Sequence, residues 1–380
     1  YDHNFNEPSN QFPVSATGYF LNGYFFKDHS KTLWYGFRGS LNKEVPPSKK
    51  QMALYQHNEN EPFSLPSGYI RNLYEDSRRR VWVATNTSLV RYIPERDHFE
   101  EIQFFPESES AKRANEILED SEGLIWITTE DGLYLFDEST QSCKKIPDLP
   151  GRAVGDILED HLHRLWISVW EKGIYVLDKY SFDILKSFEP VEGDSTSLLS
   201  KRIRTMYQDS ENRIWAGDEY DNGLGLFRLN DSETGFIHYN SAPKASNYIF
   251  SNEIRFLAED SENQLWVGTD GGLQRYDPAN DRFQVYPDLI NLPSITAYAI
   301  DAEGEFWLGT YSGGGLVRMR SEGSGIFGES KGLLHNDTGM SIHTRKLPVD
   351  HLGRIYYPTL RGLSVFDPKT ETFQNYFEKY

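Results

Sequence analysis

Aromatic and charged side chains occur together in several turns of this chain of 380 residues, where they could bind a ligand. An aromatic ring stacks on the apolar face of a pyranose, while carboxylates and guanidinium groups bind its hydroxyl or carboxylate groups. The alternative is that these are ordinary solvated loop residues. The residue types favour a binding surface for a small molecule or an oligosaccharide, and the candidates are Arg38, Trp170, Asp218, Tyr220, Tyr311 and Arg361.

Trp170 is the best single candidate among these residues. It is the only one of the eight tryptophans that lies outside a repeated position, and its turn is one residue longer than the usual turn of the repeat. The repeat has no structural need for an indole there. We therefore expect Trp170 to be exposed near Arg38, Tyr220, Tyr311 or Arg361, as a stacking surface for a sugar or as an anchor for a partner.

Three arginines share one position in the repeat. Arg71, Arg204 and Arg255 each stand five residues before a repeated aspartate, at the start of a predicted inner strand. They could ring the mouth of a central channel and bind an anionic ligand there. They could equally offset the many carboxylates of the chain, and the sequence leaves both interpretations open.

Metal and catalytic chemistry are poorly supported by the sequence. Calcium needs about six or more oxygen ligands, whereas each repeated turn offers one or two carboxylates. His161, His163 and His351 lie in turns, away from other metal ligands in sequence. The GxSxG, HExxH and phosphate-loop patterns do not occur. The sequence thus predicts no catalytic residues, no metal and no cofactor, although a carboxylate pair of a glycoside hydrolase or polysaccharide lyase cannot be recognised from spacing alone.

A tandem repeat must position these residues. An aspartate is followed by five residues and then by tryptophan, and successive anchors lie 40 to 51 residues apart. This period is typical of β-propeller blades. The pattern occurs at Asp28/Trp34, Asp76/Trp82, Asp120/Trp126, Asp160/Trp166, Asp209/Trp215, Asp260/Trp266 and Asp301/Trp307, with Asp350/Tyr356 as an eighth copy. The chain is therefore predicted to be an all-β propeller of four-stranded antiparallel blades, with eight blades favoured over seven.

Each part of the repeat has a physical role. The aspartate ends the first strand and can accept backbone hydrogen bonds that close a turn. The tryptophan on the second strand should be buried between blades. Glycine or asparagine, which tolerate a left-handed backbone, stands three residues after the aspartate in five units. Lys31, Arg79 and His163 break this rule, which predicts another turn type in their units.

The repeat resembles the two-component regulator propeller family, as the segments EDSEGLIWITTEDGLYLFD (119–137) and EDSENQLWVGTDGGLQRYD (259–277) illustrate. The resemblance implies a sensory propeller in the periplasmic or extracellular part of a bacterial membrane receptor. It further implies a carbohydrate ligand, signalling modules further along the parent chain, and a possible homodimer of the full receptor. The family has no fixed ligand-binding motif. The alternatives are a carbohydrate-active enzyme and a protein-interaction platform without a small ligand.

Composition sets further bounds. The net charge of −18 disfavours nucleic acid as a partner, and the single Cys143 cannot form an internal disulfide. No uninterrupted apolar run is long enough to span a membrane, and no signal peptide is visible. We treat residues 1–380 as one propeller. Its units are approximately 14–55, 56–105, 106–147, 148–189, 190–240, 241–287, 288–330 and 331–380, with 1–13 as a tail or as the outer strand of a preceding blade.

Overall fold

The computed structural model contains only β-strands as regular secondary structure in the residues that it describes. These residues are 24–30, 32–37, 40–44, 52–61, 63–67, 70–106, 108–147, 149–151, 153–218, 223–242, 247–286, 295–301, 304–310, 316–322, 325–331, 346–347, 349, 352–359 and 362–377. No helix in this part of the chain could cross a membrane.

In the described residues, 32 strands form eight consecutive sheets. The first four sheets contain β1 Tyr24–Lys27, β2 Leu33–Phe37, β3 Ser40–Glu44 and β4 Met52–Gln56; β5 Ile70–Glu75, β6 Val81–Thr85, β7 Leu89–Ile93 and β8 His98–Glu101; β9 Gln103–Phe105, β10 Ala114–Glu119, β11 Ile125–Thr129, β12 Gly132–Asp137 and β13 Ser142–Lys145; and β14 Val154–Glu159, β15 Arg164–Val169, β16 Gly173–Asp178 and β17 Ile184–Phe188.

The last four sheets contain β18 Ile203–Gln208, β19 Ile214–Asp218, β20 Leu226–Leu229 and β21 Phe236–Tyr239; β22 Ile254–Glu259, β23 Leu265–Thr269, β24 Gly272–Asp277 and β25 Arg282–Gln284; β26 Ile295–Ile300, β27 Phe306–Thr310, β28 Leu316–Glu322 and β29 Gly325–Lys331; and β30 Ile355–Thr359, β31 Gly362–Asp367 and β32 Thr372–Phe377.

Each sheet is one antiparallel blade whose strands follow chain order from the inner to the outer edge. In the third blade, β9 adds a fifth strand parallel to β13. Among the described residues, the eighth sheet has three strands. Isolated bridges join Lys346 to Tyr298 and Val349 to Ile355 just before the first of them. The prediction of an eight-bladed all-β propeller is confirmed.

The repeated aspartate closes the turn between the first two strands and also binds the tryptophan. In the third blade, Asp120 Oδ1 accepts hydrogen bonds from the backbone N–H groups of Glu122 and Leu124, at 2.9 and 3.0 Å. Its Oδ2 accepts one from Trp126 Nε1 at 2.9 Å. The same bond between tryptophan and aspartate is present in all seven Asp–Trp units. The turn-closing interpretation of the aspartate is therefore confirmed.

One detail of the turn prediction is wrong. Arg79 and His163 lie at φ values of 66° and 60°, beside 65° for Asn212 and 81° for Gly123. The same turn thus forms in units that lack glycine or asparagine, because the aspartate hydrogen bonds hold the backbone in the left-handed conformation that a larger side chain ordinarily avoids. Lys31 lies outside the described residues.

The seven repeat tryptophans are buried, with at most 5% of any residue exposed. Each packs across a blade junction. Trp82 of the second blade contacts the third blade, where its ring meets Phe136 edge-on with centroids 4.9 Å apart. Trp126 of the third blade packs with Val154 and Leu165 of the fourth. The core is therefore a series of apolar layers between neighbouring blades.

A second contact joins the blades at the Asp turns. Ser77 of the second blade donates from its backbone N–H and its hydroxyl to Glu119 of the third, at 2.6 and 2.5 Å. Ser121 donates in the same way to Glu159 of the fourth blade, at 2.6 and 2.8 Å. The equivalent acceptors at the other junctions among the first six blades are Glu75, Gln208 and Glu259.

Candidate functional site

In six blades whose inner strand is described at this position, a β-bulge interrupts that strand five residues before the repeated aspartate. The shift in register falls, for example, between Ile203 and Thr205 and between Ile254 and Phe256. Such bulges redirect side chains and are common beside functional sites. The bulged positions carry Arg71, Asn115, Gly155, Arg204, Arg255 and Thr296.

The bulges share one face of the propeller with the turns between second and third strands. This follows from the antiparallel pairing, because Val154 at the start of β14 lies opposite Val169 at the end of β15. We call this face the upper face and the face of the Asp turns the lower face. The inner-strand arginines Arg71 and Arg255 therefore lie on the same face as the turn that carries Trp170.

Neighbouring bulges are linked around the ring. Arg71 Nη2 donates to Asn115 Oδ1 at 2.6 Å, and Asn115 Nδ2 donates to the carbonyl of Val154 at 2.8 Å. Arg71 also forms a salt bridge of 3.0 Å with Glu130, at the turn of the third blade. The bulged residue of one blade therefore helps to fix the upper face of the next.

Two of the three arginines offset carboxylates. Arg255 is bidentate to Asp270, at 2.6 and 2.9 Å, and lies 3.0 Å from Glu253. Arg71 is paired as described above. Arg204 is the second residue of β18, is half-buried and also interacts with its surroundings. Arg71 and Arg255 thus neutralise neighbouring carboxylates. That they also bind a ligand remains a prediction.

Trp170 lies over the bulge of its own blade. A Cβ atom built on Gly155 would stand 2.6 Å from Trp170 Nε1 and 2.8 Å from Ser168 Oγ. The indole therefore occupies space that a side chain at the bulged position would fill, and it is half-buried rather than fully exposed. It belongs to none of the apolar clusters between the described parts of the blades. Sequence reasoning selected Trp170 but missed its pairing with Gly155.

Backbone hydrogen bonds hold the turn that carries the indole. Trp170 N–H donates to the carbonyl of Ala153 at 3.0 Å, and Glu171 N–H donates to the carbonyl of Lys201 at 2.9 Å. The Glu171 carboxylate forms a salt bridge of 2.7 Å with Arg202 of the following crossing. Trp170 is thus fixed to the inner strand of its own blade and to the approach of the fifth blade.

Asp218 has a role in its own turn. Its Oδ2 accepts hydrogen bonds from Ser200 Oγ at 2.8 Å and from Leu224 N–H at 3.3 Å, and only 5% of the residue is exposed. This geometry leaves little of the carboxylate for a ligand, and its role as a ligand-binding residue remains a prediction. The other turn candidates, Arg38, Tyr220, Tyr311 and Arg361, lie outside the described residues.

His161 and His163 lie in the Asp turn of the fourth blade, on the lower face, where they contact residues of blade junctions. The His161 backbone N–H donates to Gln208 Oε1 at 2.9 Å, and His163 Nδ1 lies 3.1 Å from Glu159 Oε1. His351 is not among the described residues. In the described ranges, no group of three or more His, Cys, Asp or Glu side chains could hold a metal ion.

A concave site lies elsewhere, at the outer rim between the first two blades. Its volume is about 360 Å³, and β4, the segment after it and β8 supply its walls. Phe63 stacks on His98 with centroids 4.7 Å apart and is 56% exposed. None of the candidates from the sequence lines this cavity, and no pattern in the repeat marked it.

Three segments of the chain match the family model described as two component regulator propeller, at residues 64–87, 197–220 and 248–271. Each covers the approach to a blade and its first two strands. None of the curated proteins matches the chain.

The chain is also similar to solved structures. The extracellular domain of a protein described as a hybrid two component system from B. thetaiotaomicron is 21% identical, and the match covers 96% of this chain and 55% of that domain with a TM-score of 0.44. Virginiamycin B lyase from Staphylococcus aureus is 12% identical, over 89% and 92% of the two chains, with a TM-score of 0.48. The computationally designed Ika8 protein is 12% identical, over 94% and 99%, with a TM-score of 0.61.

At these low sequence identities, the solved structures show only that the fold is shared. The chain spans about half the length of the extracellular domain from B. thetaiotaomicron. The matches to the family model are therefore the finding that connects the chain to a class of protein.

Proposed function

We propose, because the chain carries two component regulator propeller repeats, that it is a sensory propeller in the extracytoplasmic part of a bacterial signal-transduction receptor. Its upper face would bind a carbohydrate. The location outside the cytoplasm is part of this proposal and rests on the same repeats. Signalling modules of a parent receptor would then respond to the bound ligand, and the receptor could act as a homodimer.

The observation that carries the binding site is the position of Trp170 over Gly155. Six described inner strands carry the bulge, and the fourth blade has glycine at this position. The glycine leaves room for an indole that comes from a turn and belongs to no apolar cluster of the described core. A half-buried ring on a rigid support can stack on a sugar, because little conformational entropy is lost when the ligand binds.

The experiment measures binding of a panel of oligosaccharides by isothermal titration calorimetry. The Trp170→Ala variant should weaken binding of the active ligand about fivefold or more, equivalent to roughly 1 kcal/mol, with an almost unchanged melting temperature. Tyr180→Ala is the matched control, because Tyr180 is an exposed aromatic residue of the same blade in the hairpin next to the lower-face turns. Equal affinity in both variants, or unfolding of Trp170→Ala, would refute the site.

We further propose that the chain binds without catalysis. Incubation with the same glycans should release no oligosaccharides or unsaturated products, as measured by chromatography and by ultraviolet absorbance. Reproducible product formation that is lost on mutation of an upper-face carboxylate would show instead that the chain is an enzyme.

A further inference from the structure

We infer that the rim cavity between the first two blades binds an organic cation, namely a guanidinium or ammonium group on a short apolar stem. The inference is independent of the carbohydrate site, since the cavity lies on the outer rim and shares no residue with it. Its residues are Tyr55, Gln56, Asn60, Glu61, Phe63, Ser64, Leu65, Asp97, His98 and Phe99.

The first argument is the chemistry of the walls. Two carboxylates, Glu61 and Asp97, line the cavity, and no lysine or arginine does. Glu61 is exposed and forms no salt bridge with the described part of the chain. The Phe63 ring is exposed on a support formed by His98. A cation is attracted by the face of an aromatic ring and by carboxylates, and its apolar stem fits against the ring carbons.

The second argument comes from a repeat of the same cluster at another junction. Between the fifth and sixth blades, Asp281 Oδ1 accepts hydrogen bonds from the hydroxyls of Tyr239 and Tyr276, the latter at 2.6 Å. Arg228 Nη2 donates to the other oxygen, Oδ2, at 2.9 Å. At this junction, a guanidinium group of the protein itself therefore donates to the second oxygen of the carboxylate.

The cluster at the rim cavity has the same tyrosines without that guanidinium. Asp97 Oδ1 accepts hydrogen bonds from Tyr55, at 2.6 Å, and from Tyr92. Lys43 is the equivalent of Arg228, because each is paired with the repeat tryptophan of its blade. Lys43 Nζ donates to the Tyr92 hydroxyl at 2.8 Å and forms no salt bridge with Asp97. Among the described residues, no donor reaches Asp97 Oδ2.

The carboxylate remains charged at neutral pH. Burial alone would raise the pKa of Asp97, but the hydrogen bonds from Tyr55 and Tyr92 and the charge of Lys43 outweigh it and lower the pKa. The other charged groups of the same hairpin and strand are Glu95, Arg96, Glu100 and Glu101. Arg96 and His98 both lie near Glu100, and Glu101 accepts a hydrogen bond from Ser88. An external guanidinium would occupy the role at Asp97 that Arg228 has at Asp281.

The test uses Nα-acetylarginine amide and Nα-acetylcitrulline amide, called arginine amide and citrulline amide below. They have nearly the same shape and, because the α-amino group is acetylated, differ only in the charge of the terminal group. Titrations followed by NMR of the purified chain should show saturable binding of arginine amide, with citrulline amide at least about tenfold weaker. A short peptide with a central arginine forms a second arm. Tighter binding of the peptide identifies a protein side chain as the source of the cation, and equal binding identifies a free small molecule.

The variants locate the site. Glu61→Gln and Phe63→Leu should each weaken arginine amide binding about threefold or more, whereas Glu95→Gln, an exposed carboxylate outside the cavity, should leave it unchanged. Both cavity positions are exposed, so thermal melting should confirm that the variants fold. Equal affinity for the two amides, no saturable binding of either, or the same loss in Glu95→Gln would overturn the inference.

Discussion

Trp126 Nε1 donates a hydrogen bond of 2.9 Å to Asp120 Oδ2, so the residue that closes the turn also fixes the residue that fills the blade junction. Both side chains are buried. One carboxylate thereby satisfies the backbone of the turn and the polar atom of the indole. This pairing explains why the two residues keep a constant spacing in seven units.

The pair makes a prediction for stability. Trp126→Ala should cost about 3–5 kcal/mol in the free energy of unfolding, because it removes a large buried ring and leaves a cavity. Asp120→Ala should lower the free energy of unfolding by about 2–3 kcal/mol, because it leaves the indole N–H and two backbone N–H groups without a hydrogen-bond acceptor. Denaturant titrations followed by circular dichroism measure both. A loss below about 1 kcal/mol in either variant would contradict this account, and Glu192→Ala, at an exposed position, is the control.

Acid should weaken the junction between the third and fourth blades. Burial by itself raises the pKa of Glu159, but hydrogen bonds from Lys179, Ser121 and His163 outweigh it and lower the pKa to about 2. Because the folded value lies below the unfolded one, the ionised carboxylate contributes its full stability above about pH 4.5. That contribution is lost as the pH falls towards 2.

The Glu159→Gln variant tests this linkage. Wild type should exceed it in stability by about 2 kcal/mol at pH 7, after allowance for solvent screening, and the difference should vanish near pH 2. Unfolding titrations at a series of pH values give both curves. A difference that is independent of pH would show that the carboxylate acts only through its shape.

The packing of Trp170 on Gly155 gives a third prediction. Gly155→Ala should displace the indole, because the new Cβ would lie 2.6 Å from Nε1. With 5-fluorotryptophan incorporated, fluorine NMR should show one clearly shifted resonance among the eight tryptophans. Trp170→Phe identifies that resonance by its loss. If the repeat tryptophans shift instead, the substitution has disturbed the core and the proposed packing is wrong.

Cys143 should report on unfolding of the third blade. The residue is fully buried on β13, and burial raises the pKa of its thiol. Because the thiolate is the reactive form, the native chain should react with a disulfide reagent only as fast as it opens. Ser187→Cys adds an exposed thiol on β17 as an internal control that reacts at once. Rapid reaction of both thiols in native buffer would contradict the buried position.

The repeat determined most of the fold. The spacing of aspartate and tryptophan predicted the number of blades, the closure of the turns and the burial of the tryptophans. Turn closure depends on contacts within one unit, and burial follows because a large apolar ring is removed from water. The turns at Arg79 and His163 were mispredicted, since local residue preference was outweighed by hydrogen bonds from Asp76 and Asp160.

The candidate sites depend on contacts that the sequence does not display. Trp170 could be selected as an exception to the repeat, but its support by Gly155 arises from residues on different strands. Glu61 of the crossing segment and Asp97 of the second blade both line the rim cavity. They do so because the crossing segment lies against the outer strand of the second blade, where Phe99 N–H donates to the carbonyl of Phe63. The sequence by itself therefore determined the units and their cores, because these repeat. Only the tertiary structure decided which of the non-repeated residues lie close together, because the packing of strands and blades sets the distances between them.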